Sequence, residues 1–163
     1  MSQKTLVAYF SCSGITKRAA GKLAEAAKAD LFEIVPEVPY SNADLNWNDA
    51  HSRSSVEMKD KSSRPAVSSK VSDMSVYDVV FVGFPIWWYV APTIINTFLE
   101  SYDFSGKTII LFATSGGSRF GKTVENLKSS VSSSTVIKEG KLLNGNPSGD
   151  DLSNWVKSLG IEN

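Results

Sequence analysis

A short turn near the N-terminus, Ser11-Cys12-Ser13-Gly14-Ile15-Thr16, has the residue types and the position needed to bind an anion. The apolar run Leu6–Phe10 precedes it and predicts a strand, and the alanine-rich segment Thr16–Ala29 follows it and predicts a helix. When a strand turns directly into a helix, the unpaired N–H groups and the positive dipole end of the helix become available to an anion. Gly14 lets the backbone approach a ligand closely, and the hydroxyl side chains add further hydrogen-bond donors.

The composition of this turn narrows the kind of anion. It contains no lysine, so it lacks the Gly-Lys-Ser/Thr sequence that holds nucleotide β- and γ-phosphates with a metal ion. It also lacks the three spaced glycines of the dinucleotide-binding loops. The remaining hydroxyls and amides are neutral, and they predict a site for one terminal phosphate monoester.

Two other loops follow predicted strands and should lie at the same edge of the sheet. The aromatic loop Phe84-Pro85-Ile86-Trp87-Trp88-Tyr89 follows one strand, and the small polar loop Thr114-Ser115-Gly116-Gly117-Ser118 follows another. In open α/β sheets, ligands bind beyond the carboxyl ends of the strands, where the strand order reverses. Aromatic side chains can stack on a flat ring, and backbone amides in the polar loop can reach the ring's polar edge. The three loops together predict a ligand with a heteroaromatic ring and a phosphate.

Apolar runs alternate with helical patterns along the rest of the chain. The predicted strands are Leu6–Phe10, Leu31–Val35, Val79–Gly83, Ile109–Ala113 and a weaker one near Thr135–Lys138. The predicted helices are Thr16–Ala29, Ala91–Ser101, Lys122–Val131, Asp150–Leu159 with Asp150 as its cap, and one over roughly Asp44–Asp60 in the polar segment 36–78. Strands two to four are nearly continuous in apolar residues, as expected when helices cover both faces. This pattern predicts a three-layer α/β domain around a five-stranded parallel sheet.

Composition indicates one domain over residues 1–163 and few classes of partner. The chain has 17 basic and 17 acidic residues, so its charge gives no reason to expect a nucleic-acid or membrane partner. Its one cysteine cannot form an internal disulfide, which suits a reducing compartment. No apolar stretch approaches the roughly 20 residues of a membrane span. We therefore expect a cytoplasmic protein, and the sequence leaves its oligomeric state open.

These motifs resemble those of the short-chain flavodoxins, which bind FMN. The matching segments are Phe-Ser-Cys-Ser-Gly-Ile-Thr at 10–16, Phe-Pro-Ile-Trp-Trp at 84–88, Phe98–Thr108, and Thr-Ser-Gly-Gly-Ser at 114–118. The resemblance covers roughly residues 3–160. It implies a flavodoxin-like fold with strand order 2-1-3-4-5 and with FMN between strands one and three.

The resemblance also implies a role for each of the three loops. The FMN phosphate would be held by Ser11, Cys12, Ser13, Gly14, Ile15 and Thr16. The isoalloxazine would be lined by Pro85, Ile86, Trp87, Trp88 and Tyr89. The pyrimidine edge or the ribityl chain would be contacted by Thr114, Ser115, Gly116, Gly117 and Ser118. Which of Trp47, Trp87, Trp88 and Tyr89 stacks on which face of the flavin is left open.

The resemblance implies an electron carrier that moves electrons between redox partner proteins, a reductase and an acceptor. Neutral amides and aromatic rings provide no cation to stabilise a negatively charged reduced flavin, which favours a low reduction potential. An Arg119 guanidinium close to the ring would raise the potential instead. An alternative function on the same FMN scaffold is an NAD(P)H-dependent reductase of quinones or free flavins. Such an enzyme needs an open face on the flavin for the nicotinamide.

A remote alternative comes from the first turn alone. Cys12 and Arg18 have the Cys-x5-Arg spacing of cysteine-dependent phosphatases, in which the thiolate attacks phosphorus and the arginine binds its oxygens. However, Ala19 stands where a hydroxyl residue normally follows the arginine, and the sequence contains no Asp-Pro dipeptide for the general acid. The aromatic and glycine-rich loops would also have no role in such an enzyme.

Overall fold

In the computed structural model of the chain, the described residues are 4–11, 14–46, 48–60, 62–86, 91–114, 120–121, 123–143 and 147–159. The strands are β1 (Thr5–Tyr9), β2 (Asp30–Glu33), β3 (Val79–Pro85), β4 (Thr108–Thr114) and β5 (Val136–Leu142). The helices are α1 (Ile15–Ala27), α2 (Arg53–Lys59), α3 (Thr93–Glu100), α4 (Thr123–Lys128) and α5 (Gly149–Ser158), with a short 3₁₀ helix at Met74–Val76. None of the helices in this part of the chain has the length and apolar character needed to cross a bilayer.

The five strands form one parallel sheet in the order β2-β1-β3-β4-β5. The chain moves from β1 to β2 on one side and then returns to place β3 on the other side of β1. The switch point of the sheet therefore lies between β1 and β3. This arrangement confirms the predicted fold class and strand order.

Alternate residues of the central strands enter two separate cores. Leu6 and Ala8 face the core that contains α3, whereas Val7 and Tyr9 face the core that contains α1 and α5. Strands β3 and β4 are buried on both faces, as predicted. In their register Gly83 lies opposite Phe112, and a Cβ at Gly83 would come within 2.1 Å of the Phe112 ring. The close packing of β3 on β4 therefore requires a glycine at this position.

The second strand departs from the prediction of burial on both faces. Strand β2 lies at the edge of the sheet, and Leu31 is 48% exposed. Its apolar composition predicted a covered strand, but an edge strand has only one neighbour. Beyond its end, residues 35–37 bond to the backbone of residues 66–68, with an antiparallel bridge between Pro36 and Val67.

The helix predicted over Asp44–Asp60 is wrong in extent, because among the described residues of that range only Arg53–Lys59 is helical. Side chains of the polar segment bond to nearby backbone instead: the Asp44 carboxylate accepts from the Ser41 N–H, and the Asp49 carboxylate accepts from the His51 N–H. Such local bonds compete with helical hydrogen bonds. The helix begins only where the Ser52 hydroxyl accepts from the Ser55 N–H.

Two other element ends also differ from the prediction. The cap of α5 is Ser148, which forms a reciprocal capping box with Asp151, so Asp150 lies inside the first turn. Strand β5 continues to Leu142, beyond the predicted end near Lys138, and Gly140 accompanies an irregularity in its pairing with β4. A Cβ at Gly140 would lie 1.9 Å from the Leu111 carbonyl oxygen, so the close backbone approach needs glycine.

Candidate functional site

The first turn changes direction at Gly14. Its φ of 89° lies in the left-handed region, which glycine adopts without strain. The Gly14 N–H donates to the Ser11 hydroxyl at 3.1 Å, and the Gly14 carbonyl accepts from the Arg18 N–H at 3.0 Å. The Ser11 hydroxyl thus stabilises the turn by a hydrogen bond within it, and Gly14 is the N-cap of α1.

The start of α1 has the features that an anion site requires. Within the described residues no side chain caps this end of the helix, and its first turn contains no Asp or Glu. A Cβ built on Gly14 would have no described heavy atom within 4 Å, so there is open space beside the first amides. Unpaired amides, a positive dipole end and free space fit a phosphate group.

The end of β4 joins this turn to the other two loops through Thr114. Its hydroxyl shares a hydrogen bond of 2.8 Å with the Thr16 hydroxyl, and its carbonyl oxygen accepts from the Ile86 N–H at 2.9 Å. Both threonine side chains are buried. One residue therefore connects the predicted phosphate turn, the aromatic loop and the start of the glycine-rich loop, as the sequence analysis expected of these three segments.

The strand ends beneath these loops are also tied together. The Phe10 N–H donates to the Gly83 carbonyl at 2.9 Å, directly across the switch point between β1 and β3. Phe84, near the end of β3, packs edge-on against Phe120, with ring centroids 6.4 Å apart. Tyr9 donates to the Glu33 carboxylate of β2, and burial together with that carboxylate raises the pKa of Tyr9 to about 12.

The described part of the chain accounts for seven of the predicted ligand residues. Ser11, Gly14 and Pro85 are half-buried, Ile15 is 54% exposed, and Thr16, Ile86 and Thr114 are buried. The other predicted ligands lie outside the described residues: Cys12, Ser13, Trp87, Trp88, Tyr89, Ser115, Gly116, Gly117 and Ser118. Trp47 and Arg119 lie outside them as well. The contacts of all these residues with a ligand remain predictions.

A polar cluster beside the first turn, formed by Tyr40, Arg53 and Glu57, is evident only in the structure. The Arg53 guanidinium lies 3.8 Å from the centre of the Tyr40 ring, and its Nε donates to a Glu57 oxygen at 2.9 Å. The Tyr40 hydroxyl donates to the other oxygen of Glu57. The Tyr40 ring also packs edge-on against Phe10, with centroids 5.5 Å apart. The four-residue spacing of Arg53 and Glu57 was visible in the sequence, but their contact with Tyr40 was not.

Of the two residues that suggested a phosphatase, the structure describes only Arg18. Arg18 is exposed on the first turn of α1, and Cys12 lies outside the described residues. The Arg18 backbone N–H is part of the helix. The arrangement of Cys12 and Arg18 therefore stays a prediction.

Comparisons with known proteins extend over nearly the whole chain. The sequence model of the flavodoxin family matches residues 4–159. A provisionally named flavoprotein from Bacteroides eggerthii is 48% identical, with a TM-score of 0.92 over 99% of this chain and 100% of that one. Another from Bacteroides uniformis is 49% identical, with a TM-score of 0.89 over 96% and 99% of the two chains.

A more distant flavoprotein from Lactobacillus acidophilus, solved in complex with FMN, shares the fold. It is 22% identical, with a TM-score of 0.69 over 94% of this chain and 99% of that one. No curated protein matches the chain. The family match and the parallel sheet in the order 2-1-3-4-5 agree with each other and with the three loops that meet at Thr114. The chain belongs to the flavodoxin family.

Proposed function

We propose that this FMN-binding flavodoxin carries electrons at low potential between redox partner proteins. The proposal is supported most by the convergence of the three loops on Thr114. This convergence brings mostly neutral groups together in one site. Family membership supports FMN as the cofactor, and so does the FMN complex of the fold relative from L. acidophilus.

Each described group has a definite task in such a site. The first amides of α1 would hold the phosphate, and Gly14 leaves space for it. The bond between Thr16 and Thr114 would keep the phosphate turn in register with the loop after β4. When bound, FMN supplies the one- and two-electron chemistry.

The electrostatics of the described residues support a low potential. Arg53 lies over the Tyr40 ring, which packs against Phe10 next to the phosphate turn. Its positive charge is paired with Glu57, with 2.9 Å between Nε and Oε2. A flavin held by amides, hydroxyls and aromatic rings receives little stabilisation for added negative charge, so its reduction is less favourable.

Exposed apolar side chains near this edge support protein partners. Ile15, next to Gly14, is 54% exposed, and Val38, whose carbonyl accepts from Arg53, is 63% exposed. Apolar side chains that remain exposed beside a cofactor site can be covered when a partner docks. Direct electron transfer to a partner protein requires that the partner comes close to the cofactor in this way.

The test is the response of the FMN-loaded protein to NADPH under anaerobic conditions. A carrier keeps its oxidised flavin absorption for many minutes with NADPH alone, and loses it when dithionite or a catalytic amount of a flavodoxin reductase is added. Rapid bleaching by NADPH alone would contradict the carrier and identify an NAD(P)H-dependent quinone or flavin reductase.

A further inference from the structure

Two positively charged side chains lie at the start of α1, directly after the phosphate turn. Lys17 and Arg18 follow closely on Ile15, where the helix begins, and both are exposed. The Arg18 N–H donates to the Gly14 carbonyl at 3.0 Å, so Arg18 lies one helical turn from the N-cap. In a helix the Cα–Cβ bonds tilt toward the N-terminus, so both side chains start in the direction of the phosphate turn.

The start of a helix is an unfavourable place for positive charge. It carries a partial positive charge of about half an elementary unit, so acidic side chains stabilise it and basic ones destabilise it. Helix α5 follows this rule, with Asp150 and Asp151 in its first turn. Helix α1 does the opposite: residues 15–18 contain no Asp or Glu, and its one acidic residue, Glu25, lies near its other end.

No carboxylate in the described part of the chain compensates these two charges. The salt bridges found there belong to other basic residues, and neither Lys17 nor Arg18 takes part in one. Arg53, which also begins a helix, differs because it is paired with Glu57 at 2.9 Å. A sequence that breaks a local rule without an internal compensation does so most often at a functional site.

The phosphate of FMN would provide the missing negative charge. A phosphate monoester carries a charge of about −1.5 to −2 at pH 7. The amides and hydroxyls of the phosphate turn can orient it, but they are neutral. One helical turn rises about 5.4 Å, which is less than the Debye length of about 8 Å at physiological ionic strength. Lys17 and Arg18 can therefore attract a phosphate at the start of α1 without touching it.

We propose that Lys17 and Arg18 supply the positive charge that draws the FMN phosphate to the start of α1 and makes the site prefer FMN over riboflavin. The inference rests on FMN binding at the phosphate turn, as in the proposed function. It explains why two cations are kept where they oppose the helix dipole. Because the phosphate offsets their charge, they leave no excess positive charge near the flavin ring.

The experiment measures the dissociation constants of FMN and riboflavin by flavin fluorescence quenching in wild type, Lys17→Gln, Arg18→Gln and the double variant. Each single substitution should raise the FMN constant about two- to fivefold at an ionic strength of about 0.01 M, where the Debye length is about 30 Å. The difference should vanish at about 1 M, where that length is about 3 Å. Riboflavin binding should not change, because riboflavin has no phosphate.

Urea unfolding of the FMN-free proteins gives a second, independent measurement. Glutamine, lysine and arginine have similar helix propensities, so these substitutions act mainly through charge. The unfolding midpoint should rise in Lys17→Gln and Arg18→Gln, because the repulsion between each cation and the helix dipole is removed. A general disturbance of α1 would instead lower both the stability and the affinity for FMN, and this result would contradict the inference.

Two further variants serve as matched controls. Arg18→Lys keeps the positive charge, so its FMN affinity and salt dependence should equal those of wild type. Lys28→Gln removes a cation from the other end of α1, about 20 Å from the first turn. It should change FMN affinity by less than about 1.5-fold even at low salt, and its unfolding midpoint should not rise.

The outcomes separate this inference from the site itself. If wild-type protein binds FMN and the double variant binds it equally tightly at low salt, the inference fails and the three-loop site stands. Equal losses for FMN and riboflavin would also overturn it, since the effect would then not act through the phosphate. If wild-type protein binds no FMN, the inference and the proposed function both fail.

Discussion

At the end of β4, the Thr114 hydroxyl is buried against that of Thr16, and the Thr114 carbonyl accepts from Ile86. Removing either hydroxyl leaves the other without its partner, and because both are buried, the remaining hydroxyl stays out of contact with water. The bond joins residues 98 positions apart in the sequence, and it fixes the start of α1 relative to the neighbouring loops. Local stability and the shape of the site depend on the same two side chains.

A double-mutant cycle on this pair should show strong coupling. Thr16→Val and Thr114→Val should each lower the free energy of unfolding by about 1–3 kcal/mol, because each leaves a buried hydroxyl unpaired. The double variant should lose clearly less than the sum, since both polar groups are then gone. Urea unfolding of the FMN-free proteins measures the cycle. Additive losses would mean that the two hydroxyls do not depend on each other.

Substitution of Gly14 should act mainly on FMN. Gly14→Val forces a branched side chain into the left-handed region, at a cost of about 1–2 kcal/mol, and fills the space beside the first amides of α1. We expect this variant to fold and to lose its FMN on desalting. The flavin absorption of the desalted protein measures the effect.

A matched control lies on the same helix at Gly21. This glycine has open space around its Cβ position and lies inside α1, so Gly21→Ala should raise stability by up to about 1 kcal/mol and leave FMN retention unchanged. Full retention of FMN by Gly14→Val would argue against the phosphate turn.

The sharp turn from strand to helix could be predicted, because the apolar run of β1 leads within a few residues into the alanine-rich helix α1. The left-handed conformation of Gly14 is seen only in the structure, and the binding of a phosphate by this turn stays a prediction. The pairing of Thr16 with Thr114 could not be predicted, since it depends on how two distant elements meet.

At the scale of elements, the polar segment 36–78 is attached to α3 by a charged contact. Two nitrogens of Arg64 donate to the Glu100 carboxylate at 3.0 Å each, and the Ser130 hydroxyl donates to the same carboxylate at 2.8 Å. The hydrogen bonds from Arg64, with a further one from Ser130, lower the pKa of Glu100. One carboxylate thus connects the segment that carries α2, helix α3 and the end of α4.

This contact should make stability depend on pH. A lowered pKa in the folded protein means that Glu100 stabilises the fold above the ordinary glutamate pKa of about 4.3, and that this contribution is lost as the pH falls through the folded value. Glu100→Gln should therefore cost up to about 1 kcal/mol near pH 7, because the pair is partly exposed. The difference from wild type should disappear in acid, and urea unfolding at several pH values measures it.

The control for this effect is Glu139→Gln, an exposed glutamate on β5. Its stability should follow that of the wild type across the whole pH range. A Glu100→Gln variant with the same stability difference from wild type at pH 7 and pH 3 would show that the carboxylate charge does not hold the segment.

The elements differ in how well the sequence predicts them, for physical reasons. The buried strands β1, β3 and β4 could be located from their apolar runs, because burial on both faces leaves few polar residues in them. The elements of segment 36–78 could not be located in this way. The side chains of its serines, asparagines and aspartates form hydrogen bonds either with other side chains or with nearby backbone. The α-helix Arg53–Lys59 in this segment is attached to Phe10 through Tyr40 and to Thr93 through Ser63.

At the scale of the whole molecule, alternation of strands and helices was enough to predict a parallel sheet with helices on both faces. The order 2-1-3-4-5 came from resemblance to the flavodoxins, because apolar patterns do not specify which strands are neighbours. The location of the site at the switch point then followed from topology. The edge position of β2 follows from the same strand order, which explains why its apolar composition alone suggested more burial than it has.

The most direct test of the account is the visible absorption spectrum of the wild-type protein after incubation with FMN and desalting. We expect retained flavin bands that are shifted from those of free FMN, because the ring leaves water for a site formed where the three loops meet. A colourless protein would contradict the assignment of the phosphate turn, the aromatic loop and the Thr114 loop as one FMN site.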